Sequence, residues 1–187
     1  MLDSERPPRH SKRAPRLLDA EELWCFALKS LGVRALSTFE IRSKLVRRAA
    51  EPGDVDGVLA RLKEYNYLDD ARFAENYASA RKDNQGFGKM RVIRDLGQRK
   101  VGSTVAQKAV EQIFEGVDET VMVEEFLARK FRNQKLSEYL KEPKHLAAAF
   151  RRLRYAGFSS TTSIRVLKRY AAQAEDLESM DEPDAVE

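Results

Sequence analysis

The chain turns a corner at Tyr65-Asn-Tyr-Leu-Asp-Asp-Ala-Arg-Phe-Ala-Glu-Asn-Tyr-Ala-Ser-Ala-Arg81. Asp69 and Asp70 are helix starters, because their carboxylates accept hydrogen bonds from the unpaired N–H groups of a first turn. Phe73, Ala74, Tyr77 and Ala78 then recur at helical spacing and form one apolar stripe, with Arg72, Glu75 and Asn76 on the other side. Upstream, Val58, Leu59, Leu62 and Tyr65 form a second stripe. One helix therefore closes in a tight Tyr-Asn-Tyr-Leu link and another opens at once, as at a joint between packed helical units.

The same pattern extends outward in both directions. Laid on Leu45, Leu96 and Leu153, three segments carry Ala50, Val101 and Phe158 five residues on. They carry Leu59, Val110 and Leu167 fourteen on, and Leu62, Ile113 and Tyr170 seventeen on. Paired stripes precede each segment: Leu23/Trp24 with Ala27/Leu28, Phe73/Ala74 with Tyr77/Ala78, and Met122/Val123 with Phe126/Leu127. No segment alternates apolar and polar residues over a useful length, so strands are not expected.

The fold class is all-α, as three tandem three-helix repeats at 19–68, 69–117 and 118–172. A disordered basic segment at 1–18 and an acidic disordered tail at 173–187 flank them. Ser37 and Glu40 have the spacing of a capping box. Gly86-Phe-Gly88 breaks the first helix of repeat two from its second. Pro143 is suited to start a helix after a longer connection. A three-helix unit buries little alone, so stacking completes its core and predicts an elongated, curved array.

Composition narrows the function classes. Charged residues are 34% and aromatics 9% of 187 residues, a well-solvated chain with modest core material. No uncharged run approaches the roughly 20 residues needed to cross a bilayer, so no membrane association is expected and the address is cytoplasmic. The single Cys25 has no partner for an internal disulfide and is expected to pack beside Trp24 as a small apolar side chain. Net charge is +4, yet from Gln173 to Glu187 there are seven acidic and no basic residues; in the remainder 34 basic residues face 23 acidic ones, a charge of +11. A body so basic suits nucleic acid or an acidic protein surface.

Catalytic chemistry finds no support. His10 and His145 stand apart from each other and from Cys25, no His/Cys cluster has metal-ligand spacing, and Gly86 and Gly88 lack the context of a phosphate loop. Helix capping accounts for the Asp69-Asp70 pair. The reading is a non-enzymatic protein with no cofactor.

The functional signal is basic and sits on the second helix of each repeat. Repeat one has Arg42, Lys44, Arg47 and Arg48. Repeat two has Lys89, Arg91, Arg94, Arg99 and Lys100. Repeat three has Lys144, Arg151, Arg152 and Arg154. If the repeats stack in register, these cations form a stripe able to meet phosphates with salt-sensitive affinity, or an acidic protein groove. Tyr65, Phe73 and Tyr77 lie on stripes that place them in the core rather than on a nucleotide platform.

The wording of the joint goes further than its physics. Tyr-Leu-Asp-Asp-Ala-Arg-Phe-Ala, then Tyr77, Arg81 and Gly88, and an Arg-rich helix ending in Asp95-Leu96, resembles the RecX family, small bacterial proteins that modulate the recombinase RecA. The likeness runs from roughly Leu23 to Tyr170 and is sharpest between Tyr65 and Leu96. Lys89 stands where the family often has Pro, and Lys100 where Gly is common. The resemblance implies a regulator, in DNA repair and recombination, that inhibits RecA by binding the groove of the RecA–DNA filament and limiting its growth, with weak non-specific DNA binding and a monomeric state. The alternative is a sequence-independent DNA-binding protein with tandem helix-turn-helix-like units.

Overall fold

The computed structural model describes residues 16–172, 174, 176 and 177. Among them are ten α-helices and one π-helical turn, and the one β-pairing is an isolated parallel bridge between Leu18 and Ala49. No helix among the described residues is long and apolar enough to cross a membrane. By contact density the chain forms two units, divided after Leu68, with Ser37–Phe39 counted in the second.

The first unit holds α1 (Ala20–Val33), α2 (Thr38–Val46) and α3 (Asp54–Glu64). A full capping box opens α1: the Asp19 carboxylate accepts from the Glu22 N–H, and the Glu22 carboxylate accepts from the Asp19 N–H. Leu23 and Ala27 of α1, Ile41 and Leu45 of α2, and Val55, Val58, Leu59 and Leu62 of α3 close on one core. Each of the Leu, Ile and Val side chains contributes about 1.5–3 kcal/mol on burial. At the expected box on α2, the Ser37 hydroxyl donates to the Arg99 carbonyl at 2.7 Å and the Glu40 carboxylate holds Arg34 at 3.1 Å.

The link after α3 is a left-handed turn. Asn66 has φ 56°, and the N–H groups of Tyr67 and Leu68 both reach back to the Leu62 carbonyl, at 2.8 and 3.3 Å. Asparagine suits this position because it tolerates the left-handed region better than most side chains. Asp69 then caps α4 (Asp70–Ala80), accepting from the N–H groups of Ala71 and Arg72 at 2.9 and 3.0 Å.

Two expectations fail here. Tyr65 is 59% exposed, not in the core. It is the residue after the last helical one, so the angular register of the Val58/Leu59/Leu62 stripe no longer governs its direction. Cys25 is also exposed; it lies about 100° around α1 from Trp24, beyond the Leu23/Ala27 face.

The second unit continues from α4 through a π-helical turn (Arg81–Gln85) to α5 (Lys89–Gln98) and α6 (Ser103–Ile113). Then come α7 (Glu119–Lys130), a short α8 (Leu136–Tyr139), α9 (Pro143–Tyr155) and α10 (Ser160–Lys168). Two cores form, one around Phe73, Leu96, Val110 and Phe114, the other around Phe126, Leu127, Leu153, Phe158 and Leu167; Phe87 and Met122 pack against both. Leu45, Leu96 and Leu153 are each fully buried, whereas Ala50, aligned with Val101 and Phe158, is exposed.

The long connection before α9 holds α8 and the buried Leu140, and Pro143 occupies the first turn of α9. At the chain's ends, Leu18 is tied to strand-like geometry by bonds to the Arg48 carbonyl and the Ala50 N–H. Ala174 and Leu177, from the segment read as tail, are buried in the third core. Residues 1–15, 173, 175 and 178–187 lie outside the described residues.

Candidate partner interface at the second helices

Within the second unit, α9 and α5 meet end to end. The first N–H groups of a helix and its last carbonyls have no partner inside it. Here they satisfy one another: the Gly88 N–H donates to the Ala156 carbonyl at 2.8 Å, and the Met90 N–H donates to the Gly157 carbonyl at 3.2 Å. Gly88 offers no capping side chain of its own. The negative end of one macrodipole thus abuts the positive end of the next.

Glycine is required on both sides of this contact. A β-carbon on Gly88 would lie 2.6 Å from the carbonyl carbon of Gly157 and 2.9 Å from the Phe158 nitrogen. Gly157 has φ 90°, and a β-carbon there would lie 2.8 Å from the Arg91 Cα. Gly88 itself has an ordinary φ of −76°, so close approach, rather than turn geometry, explains this glycine. Gly86 supplies the turn, with φ 62°.

Beside the junction lies a charge cluster centred on Asp95, which is only 7% exposed. Its carboxylate accepts from Arg91 Nε at 2.9 Å and from the Tyr77 hydroxyl at 3.3 Å, and Arg81 Nε lies 3.9 Å away. Guanidinium groups of Arg81 and Arg99 sit over the Tyr77 ring, 4.7 and 4.8 Å from its centroid. Arg91 lies over the Tyr155 ring at 4.3 Å. Its pKa is raised above the ordinary value: hydrogen bonding with Tyr155 does most, burial opposes, and the Asp95 charge adds to the rise.

The thirteen basic residues therefore divide by what they touch, Lys89 lining a cleft beside Gly88 and Gly157. Arg42 pairs with Asp56. Arg48 covers the Phe26 ring at 5.2 Å and donates to the Arg16 carbonyl at 3.2 Å. Arg152 covers Phe131 at 5.4 Å, and Arg154 donates to the Phe158 carbonyl at 2.8 Å. Arg91 and Arg99 belong to the Asp95 cluster. Lys44, Arg47, Arg94, Lys100, Lys144 and Arg151 are exposed, and none of them forms an ion pair among the described residues. The junction brings Lys89, Arg91 and Arg94 of α5 onto the end of α9 that carries Arg151, Arg152 and Arg154. Those of α2 lie on a helix whose core belongs to the first unit.

Sequence reasoning gave no site role to Asp95, Tyr77, Arg81 or Tyr155. The spacing carried a signal: Tyr77/Arg81, Arg91/Asp95 and Asp95/Arg99 are each four apart, so each pair shares a helix face.

A cleft of about 270 Å³ opens beside Gly88 and Gly157, floored by Met90, Phe114 and Met122 and edged by Lys89 and Glu119. Glu119 is engaged, accepting from the Ser159 hydroxyl at 2.6 Å and the Ser159 N–H at 2.8 Å. Burial works to raise the Glu119 pKa, but these bonds outweigh it and the value falls below the ordinary 4.5. Among the described residues no group of three or more His, Cys, Asp or Glu is placed to hold a metal ion.

Fold and site together define an all-helical repeat protein that gathers cations where second helices abut. The family model described as "RecX, second three-helix domain" matches residues 69–110. The chain is 33% identical to "Regulatory protein RecX" of Mannheimia succiniciproducens over 57% of its own length and 68% of that protein's. It belongs to the RecX family of regulatory proteins. It is also 32% identical to the RecX of Deinococcus radiodurans, over 58% of this chain and about half (52%) of that longer protein. The crystal structure of RecX from Lactobacillus salivarius shares the fold, with a TM-score of 0.61 at 15% identity over 81% of this chain and 96% of the other.

Proposed function

We propose that this chain regulates the RecA recombinase by lying against the RecA–DNA filament and limiting its growth, acting as a monomer in the cytoplasm. The observation that carries this reading is the end-to-end union of α9 and α5 at Gly88 and Gly157, which supports a continuous seam of cations across two repeats. Arg94, Lys144 and Arg151, exposed and without ion pairs among the described residues, are the contacts assigned to the partner, with Lys44 of α2 and Arg47 in the turn after it contributing. Arg91 serves the fold through Asp95, and Arg99 through the Tyr77 ring. Several weak contacts along a repeating partner add up through effective concentration, so each module at 19–68, 69–117 and 118–172 need bind only modestly. The mechanism is steric, and any change in ATP hydrolysis is RecA's own chemistry altered from outside.

The test is RecA assembly on single-stranded DNA, followed by light scattering, with substoichiometric amounts of this protein. Slowed growth is expected, and the variant Arg94→Glu/Lys144→Glu/Arg151→Glu should lose the effect while keeping its helicity. Normal assembly in the presence of the unaltered protein overturns the reading. The cations that are exposed and unpaired among the described residues also favour a second reading, sequence-independent DNA binding by tandem helix-turn-helix-like units. Under it, duplex DNA binds with affinity that fades with salt while RecA assembly is untouched.

A further inference from the structure

The first unit exposes an aromatic cluster that none of these roles uses. Tyr65 and Tyr67 are 59% and 52% exposed, and both rings lean on Trp24, with centroids 5.9 and 6.2 Å away at interplanar angles of 57° and 69°. The Arg61 guanidinium lies 4.1 Å from the Trp24 ring centroid, held there by Glu21 at 3.1 Å. We propose that Trp24, Tyr65 and Tyr67, with Arg61 stacked among them, form a platform on which bases of a single-stranded nucleic acid stack.

Three observations carry this. The two tyrosine rings are presented, not packed, each more than half in water beside the partly buried Trp24. The turn that holds them is rigid, with Asn66 in the left-handed region and the Asn66, Tyr67 and Leu68 N–H groups bonded to the carbonyls of Lys63 and Leu62. A base therefore meets rings whose ordering is already complete, which favours tight binding. The third observation is charge. Lys63 is exposed beside the tyrosines. The Arg61 guanidinium against the Trp24 ring is itself partly exposed. Flat rings with adjoining cations fit bases on a phosphate backbone, and stacking of this kind tolerates any base sequence. A neutral apolar peptide would leave those cations unanswered. The residues differ from the partner contacts assigned to α5 and α9, so either can fail without the other.

Trp24 is the only tryptophan in the chain, so its emission reports on the platform alone. The probes are oligo(dT) and an abasic strand of equal length, which keeps the phosphates and removes the bases. Oligo(dT) should quench Trp24 and bind at least about tenfold tighter than the abasic strand. Tyr65→Ala/Tyr67→Ala should erase that preference without changing helicity or melting. Should that variant fold poorly, the comparison of the two strands on the unaltered protein still decides. Equal affinity for both strands, unchanged Trp24 emission at saturation, or a preference that survives in the folded double variant overturns the proposal. Arg94→Glu/Lys144→Glu/Arg151→Glu should still show quenching by oligo(dT), whatever its effect on RecA assembly.

Discussion

Gly88 and Gly157 touch backbone to backbone: a β-carbon on Gly88 would stand 2.6 Å from the carbonyl carbon of Gly157. The contact involves main chain on both sides, so no side-chain rotation relieves it. Gly88→Ala should destabilise the protein by about 2–3 kcal/mol, the scale of forced overpacking. Gly157→Ala should cost more, since φ 90° adds backbone strain to the clash. Urea denaturation followed by circular dichroism measures both, and a loss below about 0.5 kcal/mol for either would show that the helix ends do not meet so closely.

Asp95 makes a different demand. It is nearly enclosed, and its carboxylate answers Arg91, Arg81 and Tyr77 together. Asp95→Asn keeps the shape and removes the charge, leaving Arg91 half-buried without its counter-ion. A loss of about 3 kcal/mol is expected, as for a broken buried pair. Arg94→Gln, one residue away but exposed, should change stability by less than about 0.5 kcal/mol. Equal losses in the two variants would mean that the cluster contributes nothing special.

Much of this architecture is legible in the amino acids. Leu45, Leu96 and Leu153 reveal the repeat because each sits at the same buried point of a second helix, and Asp69 announces α4 because a cap is a local interaction. Tyr65 misleads because a stripe has meaning only while the helix continues. The Asp95 cluster hides because a carboxylate four residues from an arginine reads as an ordinary solvated pair until the helices that bury it are known. The Gly88–Gly157 approach depends on which helix ends meet, and local spacing holds no record of that.

Acid sensitivity should concentrate at Glu119. Its bonds from Ser159 set its pKa below the ordinary 4.5 in the folded chain. Near and below that pH the unfolded state binds more protons than the folded one, so stability falls as pH falls. Glu119's contribution is fully present above about pH 4.5 and is lost as pH drops through the lowered folded value. Glu119→Gln should therefore flatten the acid limb of the stability–pH curve while lowering the plateau at neutral pH. Parallel acid limbs for the two proteins would remove Glu119 from the explanation.

Lys100 and Gly97 form a last pair, in which each residue stands where the other type is favoured. Lys100 has φ 58°, in the left-handed region, just past the end of α5. A side chain there costs about 1 kcal/mol that glycine avoids. Gly97 lies inside α5 with nothing within 4 Å of an added β-carbon, and glycine at such a position costs roughly 0.5–1 kcal/mol relative to alanine. Gly97→Ala should stabilise by that amount. Lys100→Gly gains from relief of strain but gives back part of it through the greater freedom of the unfolded chain, so a smaller gain is expected. The exchange Gly97→Ala/Lys100→Gly should raise the melting temperature by several degrees. A lower melting temperature for Lys100→Gly alone would mean that the Lys100 side chain earns its left-handed position through contacts stronger than the strain.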